Sequence, residues 1–279
     1  MQLLQLANNH QIPAIGYGTW RLKNKPTTVD IINDAISAGY RHFDTAFAYG
    51  NEETLGQAFG ATKVPRSELF ITGKLWNDDR SNVRAACTRS IKNLQCEYLD
   101  LYLVHWPASP AVHKDWAEVN RKVWAELEKL YQAGLVKAIG VCNFKVNQLE
   151  ELLKTAKIPP MVNQIEYHIG QRQPDIVEFC NQHNILVEAW SPLGSGKMLK
   201  VPELVQLAEK YQVSPAQLSI KWCLDNGVLP LPKSKDPERM RQNLDVFDLK
   251  ISPADLKILN DMPYVGGSGL DSETITLFG

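Results

Sequence analysis

Apolar positions along the chain follow two alternating rhythms. Short β-branched or apolar runs recur down the sequence, AIGYG, RHFDT, LFITGKL, LDLYLVHW, KAIGVCN, MVNQIEY, ILVEAWS and VLPLPKS, eight in all. Between them the apolar residues take helical spacing. Leu149, Leu152, Leu153 and Ala156 stand at offsets of zero, three, four and seven, as do Leu204, Leu207, Ala208 and Tyr211. This alternation is the signature of repeated βα units and a parallel sheet. Gly39 and Gly134 fall where helices should stop, because a left-handed C-terminal cap is easiest for glycine. Ahead of the first run, LLQLANNHQIP predicts a hairpin that turns at Asn8-Asn9.

Eight such units in 279 residues predict a (β/α)8 TIM barrel of the α/β class with an N-terminal β-hairpin, read as one domain over residues 1–279. The competing architecture is a doubly wound sheet, which normally places GxGxxG after its first strand. In GYGTWR, Arg21 takes the third glycine's place, and no other run carries the fingerprint, so no Rossmann domain is expected.

Composition narrows the class of partner. Lys plus Arg total 30 against 31 Asp plus Glu, a net charge of −1 without basic blocks, which speaks against nucleic acid. No apolar run is long enough to span a membrane. The N-terminus has neither the basic start nor the apolar stretch of a signal peptide. The five cysteines, Cys87, Cys96, Cys142, Cys180 and Cys223, are odd in number and form no CxxC pair, as expected of free thiols in a reducing compartment. The expected setting is the cytoplasm, and nothing in the sequence demands more than a monomer.

Barrel enzymes build their sites where strands end. Polar residues collect at the ends of these runs: Asp44, Lys74, His105, Asn143, Gln164, Trp190 with Ser191, and Lys233 with Ser234. Asp44, Lys74 and His105 close successive strands, so a barrel aims them into one cavity, with Tyr49 on the turn beyond Asp44. A buried ammonium needs a partner, and Asp44 is the one within reach. The cation should then lower the Tyr49 pKa from its ordinary value near 10 towards working pH, which makes the phenol a candidate general acid. His105 could hold a carbonyl oxygen in line by a hydrogen bond. A plainer assignment also fits each residue alone: a structural ion pair, a core histidine before Trp106-Pro107, a tyrosine packed on the rim. Trp20, Trp76 and Trp106 follow strands and are candidate walls of a substrate pocket. The loops PASPAVHKDW and GSGKML, and the tail from Pro263 to Gly279, are short enough to leave that pocket open.

The segments GYGTW, GYRHFDTAFAYGNEETLG, ITGKLW, YLDLYLVHWP, IGVCNF, NQIEYH, WSPLG and LPKSKDPERMRQN, in this order and spacing, resemble the aldo-keto reductases, and among them the bacterial branch that includes 2,5-diketo-D-gluconate reductases. The resemblance spans nearly the whole chain. It implies NADPH lying extended across the strand ends and reduction of aldehydes or ketones, including diketo-sugar acids or methylglyoxal-like compounds. By resemblance, Tyr49 is the proton donor, Asp44 and Lys74 tune it, and His105 orients the carbonyl. Asn143 and Gln164 match positions that bind the nicotinamide carboxamide, and Trp190 the ring that stacks on the nicotinamide. Gly18, Thr19 and Trp20 approach the cofactor from the first strand, while Ser191, Leu193 and Ser195 would close over the pyrophosphate. Lys233, Ser234 and Arg239 match the positions that hold the adenosine 2′-phosphate, with Lys235, Gln242 and Asn243 beside them.

That last cluster also has a physical rationale, since cations converge on a helix start with Asp236 as its N-cap and Pro237 in its first turn. Departures from the family pattern lie on the cofactor side: Cys142 for the frequent Ser, Trp190 for the commoner Tyr, Gln242 for the usual Glu, and the charged pair Lys235-Asp236. Rival functions fare worse. A metal-dependent hydrolase needs clustered ligands, yet only His105 among six histidines is convincingly at a strand end. A short-chain dehydrogenase needs YxxxK on a helix, which is missing. A non-catalytic NADPH-binding subunit would need a partner surface.

Overall fold

The computed structural model describes residues 2–275. Its strands are β1 (Leu3–Gln5), β2 (Gln11–Pro13), β3 (Tyr17–Gly18), β4 (His42–Asp44), β5 (Phe70–Leu75), β6 (Leu101–Val104), β7 (Ile139–Cys142), β8 (Val162–Glu166), β9 (Leu186–Trp190) and β10 (Val228–Pro230). The helices are α1 (Pro26–Ala38), α2 (Glu52–Ala61), α3 (Val83–Asn93), α4 (Trp116–Gln132), α5 (Val146–Leu153), α6 (Pro174–Gln182), α7 (Pro202–Lys210), α8 (Pro215–Asp225), α9 (Pro237–Leu244) and α10 (Pro253–Asp261).

Strands β3 to β10 pair in sequence order as one eight-stranded parallel sheet. The sheet curls until its first and last strands meet: Gly16 N donates to Pro230 O at 3.0 Å and Gly18 N to Pro232 O at 3.1 Å. These bonds join the two edges of the α/β barrel. The last strand is shorter than its apolar run because Pro230 and Pro232 offer no N–H to a ladder.

Period-two alternation sorts every strand into two faces. Phe43, Ile71, Tyr102, Val104, Ile139, Val141, Ile165 and Val187 point outward into a core shared with the helices. Phe70, Leu101, Leu103, Val162 and Leu229 form a separate inner cluster, joined by Leu6 and Ile12 of the hairpin. The β1–β2 hairpin, antiparallel and turning at Asn9 with φ 67°, thereby contributes to the inner core.

Helix punctuation follows the local chemistry. Gly39 caps α1 at φ 111°, and Gly134 takes φ 74° just past α4. Ala156 and Tyr211 lie beyond the ends of α5 and α7, although both still pack on the outer core. No helix among the described residues is long and apolar enough to cross a membrane.

Helix α2 begins immediately after the turn that carries Tyr49, and its Gly56 lies against the end of α3. A Cβ there would stand 2.2 Å from Asn93 O and 2.9 Å from Leu94 C. Alanine normally favours a helix interior over glycine by ~1 kcal/mol. Here the clash is with backbone, so Gly56→Ala should reverse that sign and cost ~1–3 kcal/mol, read as a lowered urea midpoint.

Candidate active site

The inner face changes character towards the carboxyl ends of the strands. The alternation that points Phe70 inward also points Thr72 and Lys74 inward on β5, Asp44 on β4, Cys142 on β7, Gln164 on β8 and Glu188 on β9. All are buried. Lys74 Nζ lies 2.7 Å from both carboxylate oxygens of Asp44 and 3.2 Å from Thr45 O. Burial alone would depress the lysine, but the adjacent Asp44 more than offsets it, and its pKa is raised. The pair is a buried ion pair.

Tyr49 sits on a single helical turn, Phe47–Tyr49, that Gly50 ends at φ 64°. Asn51 anchors this turn: its side chain accepts from Thr45 Oγ1 at 3.0 Å and donates to Thr19 O at 3.0 Å and Leu22 O at 3.1 Å. The loops after β3 and β4 are thus tied together. Lys74 Nζ stands 3.4 Å from the Tyr49 hydroxyl. The Tyr49 ring meets His105 edge-on at 5.6 Å between centroids, and Trp76 meets the same imidazole edge-on at 5.2 Å.

The expected acidification of Tyr49 is overturned in sign. Burial raises the phenol, and the Lys74 cation recovers only part, leaving it at about 12. Desolvation wins because it disfavours the phenolate more than one cation at this distance favours it. Tyr49 therefore keeps its proton, which is the form a general acid requires. His105 is held well below the ordinary histidine range by burial and by Lys74, so its ring is neutral, and its buried Nδ1 has no hydrogen-bond partner among the described residues.

One cleft of about 1620 Å³ opens over these groups. Its lining brings together almost every residue singled out from the sequence: Gly18, Trp20, Asp44, Tyr49, Trp76, His105, Trp106, Cys142, Asn143, Gln164 and Trp190 on one side. Ser191, Leu193, Ser195, Lys233, Ser234, Lys235, Arg239, Gln242 and Asn243 line the other. Two residues do not line it. Lys74 works from beneath, and Thr19 is fully buried with its hydroxyl and N–H both spent on Asp44 O.

The cleft has two different ends. Towards Tyr49, side chains are committed to one another. Asn143, at φ 66°, donates from Nδ2 to His105 O at 3.0 Å and accepts from Trp190 Nε1 at 2.8 Å, which fixes the indole. Gln164 donates both Nε2 hydrogens, to Asp44 Oδ2 and to Glu188 Oε2, each at 2.8 Å. Its Oε1 has only the Cys142 thiol, at 3.9 Å. Burial pushes that thiol's pKa up, so it stays a weak neutral donor.

At the other end, Asp236 caps α9 by accepting from Arg239 N at 2.9 Å, and Pro237 follows as expected. Lys233 is held below the ordinary lysine value by desolvation and by neighbouring Lys235 and Arg21. Mutual repulsion among these cations would be relieved by an anion. Between the ends runs the loop after β9, where Ser191, Gly194, Ser195 and Gly196 all take positive φ, and the two serines hold it against an intrinsic penalty.

Sequence reading missed Glu188, Arg21 and part of the tail. Glu188 is an acid at an inward position of an otherwise apolar strand, a signal visible in ILVEAWS. Arg21 lines the cleft with its guanidinium 4.2 Å over the Trp20 ring. Gly267, Ser268 and Leu270 reach the cleft because Glu166 anchors the tail, accepting from Ser268 N at 2.8 Å and Ser268 Oγ at 2.6 Å. Tail positions 276–279 lie outside the described residues. Among the described residues, no group of three or more His, Cys, Asp or Glu side chains could hold a metal ion.

The model of the Aldo/keto reductase family matches residues 14–262. The chain belongs to this family. As a member it is an oxidoreductase of the carbonyl-reducing kind. It is 42% identical over 270 residues to the 9,11-endoperoxide prostaglandin H2 reductase of Trypanosoma cruzi, covering 94% of this chain and 93% of that protein. It is 42% identical over 255 residues to the glyoxal reductase of Bacillus subtilis, covering 91% and 90%. The crystal structure of a Gox0644 mutant in complex with NADPH superposes with a TM-score of 0.90 at 36% identity, covering 98% of each chain.

Two stability measurements test the electrostatics. Lys74→Met should cost ~3–5 kcal/mol by stranding the buried Asp44 carboxylate, and Asp44→Asn in the same chain should recover most of the loss in urea denaturation. Glu188 is raised by burial and by Asp44 from the ordinary 4.5 to about 8. Between those values the folded protein holds a proton that the unfolded chain has released, so stability falls as pH rises through that window and levels off above it. Glu188→Gln should remove that slope, and its stability relative to wild type should grow between pH 5 and 9 in thermal melts.

Proposed function

We propose that the protein reduces small aldehydes and ketones to alcohols with NADPH, and that Tyr49 delivers the proton. The observation that carries this reading is the Tyr49 hydroxyl, still protonated, 3.4 Å from a charged Lys74 and facing neutral His105 at the floor of the cleft.

The residues present fit NADPH. Gln164 Oε1 is an uncommitted acceptor suited to the N–H of a carboxamide, and Trp190 offers a ring whose orientation Asn143 fixes. Lys233, Lys235, Arg239 and Arg21 gather positive charge at the far end, which suits a 2′-phosphate, while Ser191, Leu193 and Ser195 line the stretch between. The bound cofactor supplies hydride to the carbonyl carbon. His105 and Tyr49 take the carbonyl oxygen from two sides, and Tyr49 passes its proton to that oxygen. Lys74 stabilises the resulting phenolate, because the same cation that cannot make the resting tyrosine acidic lowers the cost of its momentary deprotonation. Asp44 holds the cation in place.

Trp76 and Trp106 wall the site and Trp20 stands 48% exposed at its rim. Large flat walls around two hydrogen-bonding groups suit small carbonyl compounds, with dicarbonyls such as glyoxal or methylglyoxal preferred and diketo-sugar acids within the same class. The similarity to a glyoxal reductase and to a structure that holds NADPH supports this choice. We read the protein as a cytoplasmic monomer whose whole chain acts as one unit.

The test is the loss of reduced-nicotinamide absorbance with NADPH or NADH and a panel of aldehydes, ketones and dicarbonyls. NADPH-dependent turnover is expected, reduced by ~10²–10⁴-fold in Tyr49→Phe while the affinity for NADPH persists. Tight NADPH binding without turnover on any carbonyl would overturn the reading in favour of a cofactor-binding regulatory subunit.

A further inference from the structure

Glu188 is used by no step described above, yet it is wholly buried inside the barrel. Such a carboxyl is costly to bury, and Glu188 touches no cation. The groups facing it are Gln164 on β8, Asp44 and His42 on β4, and Lys74 on β5, which is already engaged by Asp44. His42 Nε2 is 3.9 Å from Glu188 Oε1, beyond hydrogen-bond range, and burial keeps that imidazole neutral. Oε1 has no hydrogen-bond partner among the described residues. Among the described residues, the one bond the carboxyl makes is from Gln164 Nε2 to its Oε2, at 2.8 Å.

That bond completes a geometrical constraint. A primary amide has two N–H hydrogens and one carbonyl oxygen. Asp44 Oδ2 takes the first hydrogen of Gln164 and Glu188 Oε2 the second. With both taken, the amide can neither flip nor pivot, and Oε1 is the atom left to serve the cleft. A single bond to Asp44 would allow rotation about it and leave a buried N–H without a partner. The constraint holds in either protonation state of Glu188, since the carbonyl oxygen of an un-ionised acid also accepts.

We propose that Glu188 is a positioning residue for the cofactor: by holding the second amide hydrogen it fixes the direction in which Gln164 Oε1 accepts from the nicotinamide carboxamide. This rests on the reading of Gln164 given under the proposed function. Glu188 itself touches no substrate or cofactor. Its effect is on the discrimination of a carboxamide from a group of similar shape that lacks the N–H.

The experiment compares full-length wild type, Glu188→Gln, Glu188→Leu and Gln164→Leu. Dissociation constants are read from quenching of tryptophan fluorescence, for NADP⁺ and for its 3-acetylpyridine analogue, in which acetyl replaces the carboxamide. Loss of one well-aimed hydrogen bond corresponds to roughly a ten-fold change. Glu188→Leu is expected to weaken NADP⁺ roughly ten-fold and to leave the acetyl analogue unchanged. Glu188→Gln keeps an acceptor oxygen and should restore NADP⁺ binding to within about three-fold. Should Glu188→Leu fail to fold, as judged by circular dichroism, the unbranched Glu188→Met replaces it. Equal weakening of both ligands in Glu188→Leu, or no change in either, overturns the proposal provided that Gln164→Leu weakens NADP⁺ and spares the acetyl analogue. If Gln164→Leu weakens both ligands equally, or neither, the carboxamide reading of Gln164 itself falls, and the role of Glu188 with it.

Discussion

The site is organised around one interaction, the buried contact between Asp44 and Lys74. An ammonium with no exposed surface survives as a cation only because a carboxylate lies 2.7 Å away, and that carboxylate is tolerated only because Lys74 and Gln164 share its oxygens. Removing either charge leaves the other without compensation. The groups at this end of the cleft refer back to this pair: the Tyr49 hydroxyl is placed against the lysine, and the Gln164 amide hangs from the aspartate. The His105 ring is kept neutral partly by the same positive charge.

Placing such a pair in a barrel is a consequence of two-residue periodicity. A strand that puts Phe70 into the inner core must put Lys74 on the same face, and one that puts Phe43 outward must turn Asp44 inward. The eight inward stripes therefore pass from apolar near the hairpin to polar near the cleft within a few residues. Leu6 and Ile12 pack in the apolar layer, and the ion pair occupies the polar one. A one-residue slip in β4 or β5 would exchange these layers and strand both charges in the outer core, so the ion pair also specifies register.

This logic explains what the sequence revealed. Strand order, barrel closure and the convergence of Asp44, Lys74 and His105 follow from counting units and from which residues end each run. The helix start at Asp236-Pro237 follows from local capping chemistry. Three features were not legible. The direction of the Tyr49 shift depends on a contest between burial and one cation, and depth of burial belongs to the assembled loops. Thr19 stood at a strand end like its neighbours, but the bond between loops through Asn51 draws it inside. Glu188 was overlooked because an acid within an apolar run resembles an interruption of the strand; its meaning appears only when Gln164, 24 positions away, is found beside it.

The cleft divides its labour between a dry end and a wet one. At the dry end, most polar atoms are paired with protein, pKa values are displaced by burial, and Tyr49 keeps its proton. At the wet end, Lys233, Lys235 and Arg239 are exposed, and Lys233, Lys235 and Arg21 repel one another, which an anion would relieve. An anionic group placed at the charged end would replace repulsion with attraction. At the other end, any misfit leaves a buried group without a partner and costs ~1–3 kcal/mol. Within the described residues the two ends are joined chiefly by the loop after β9. Its serines are held at positive φ, so the bridge between a charged end and a buried one is made at a backbone penalty that the surrounding packing must offset.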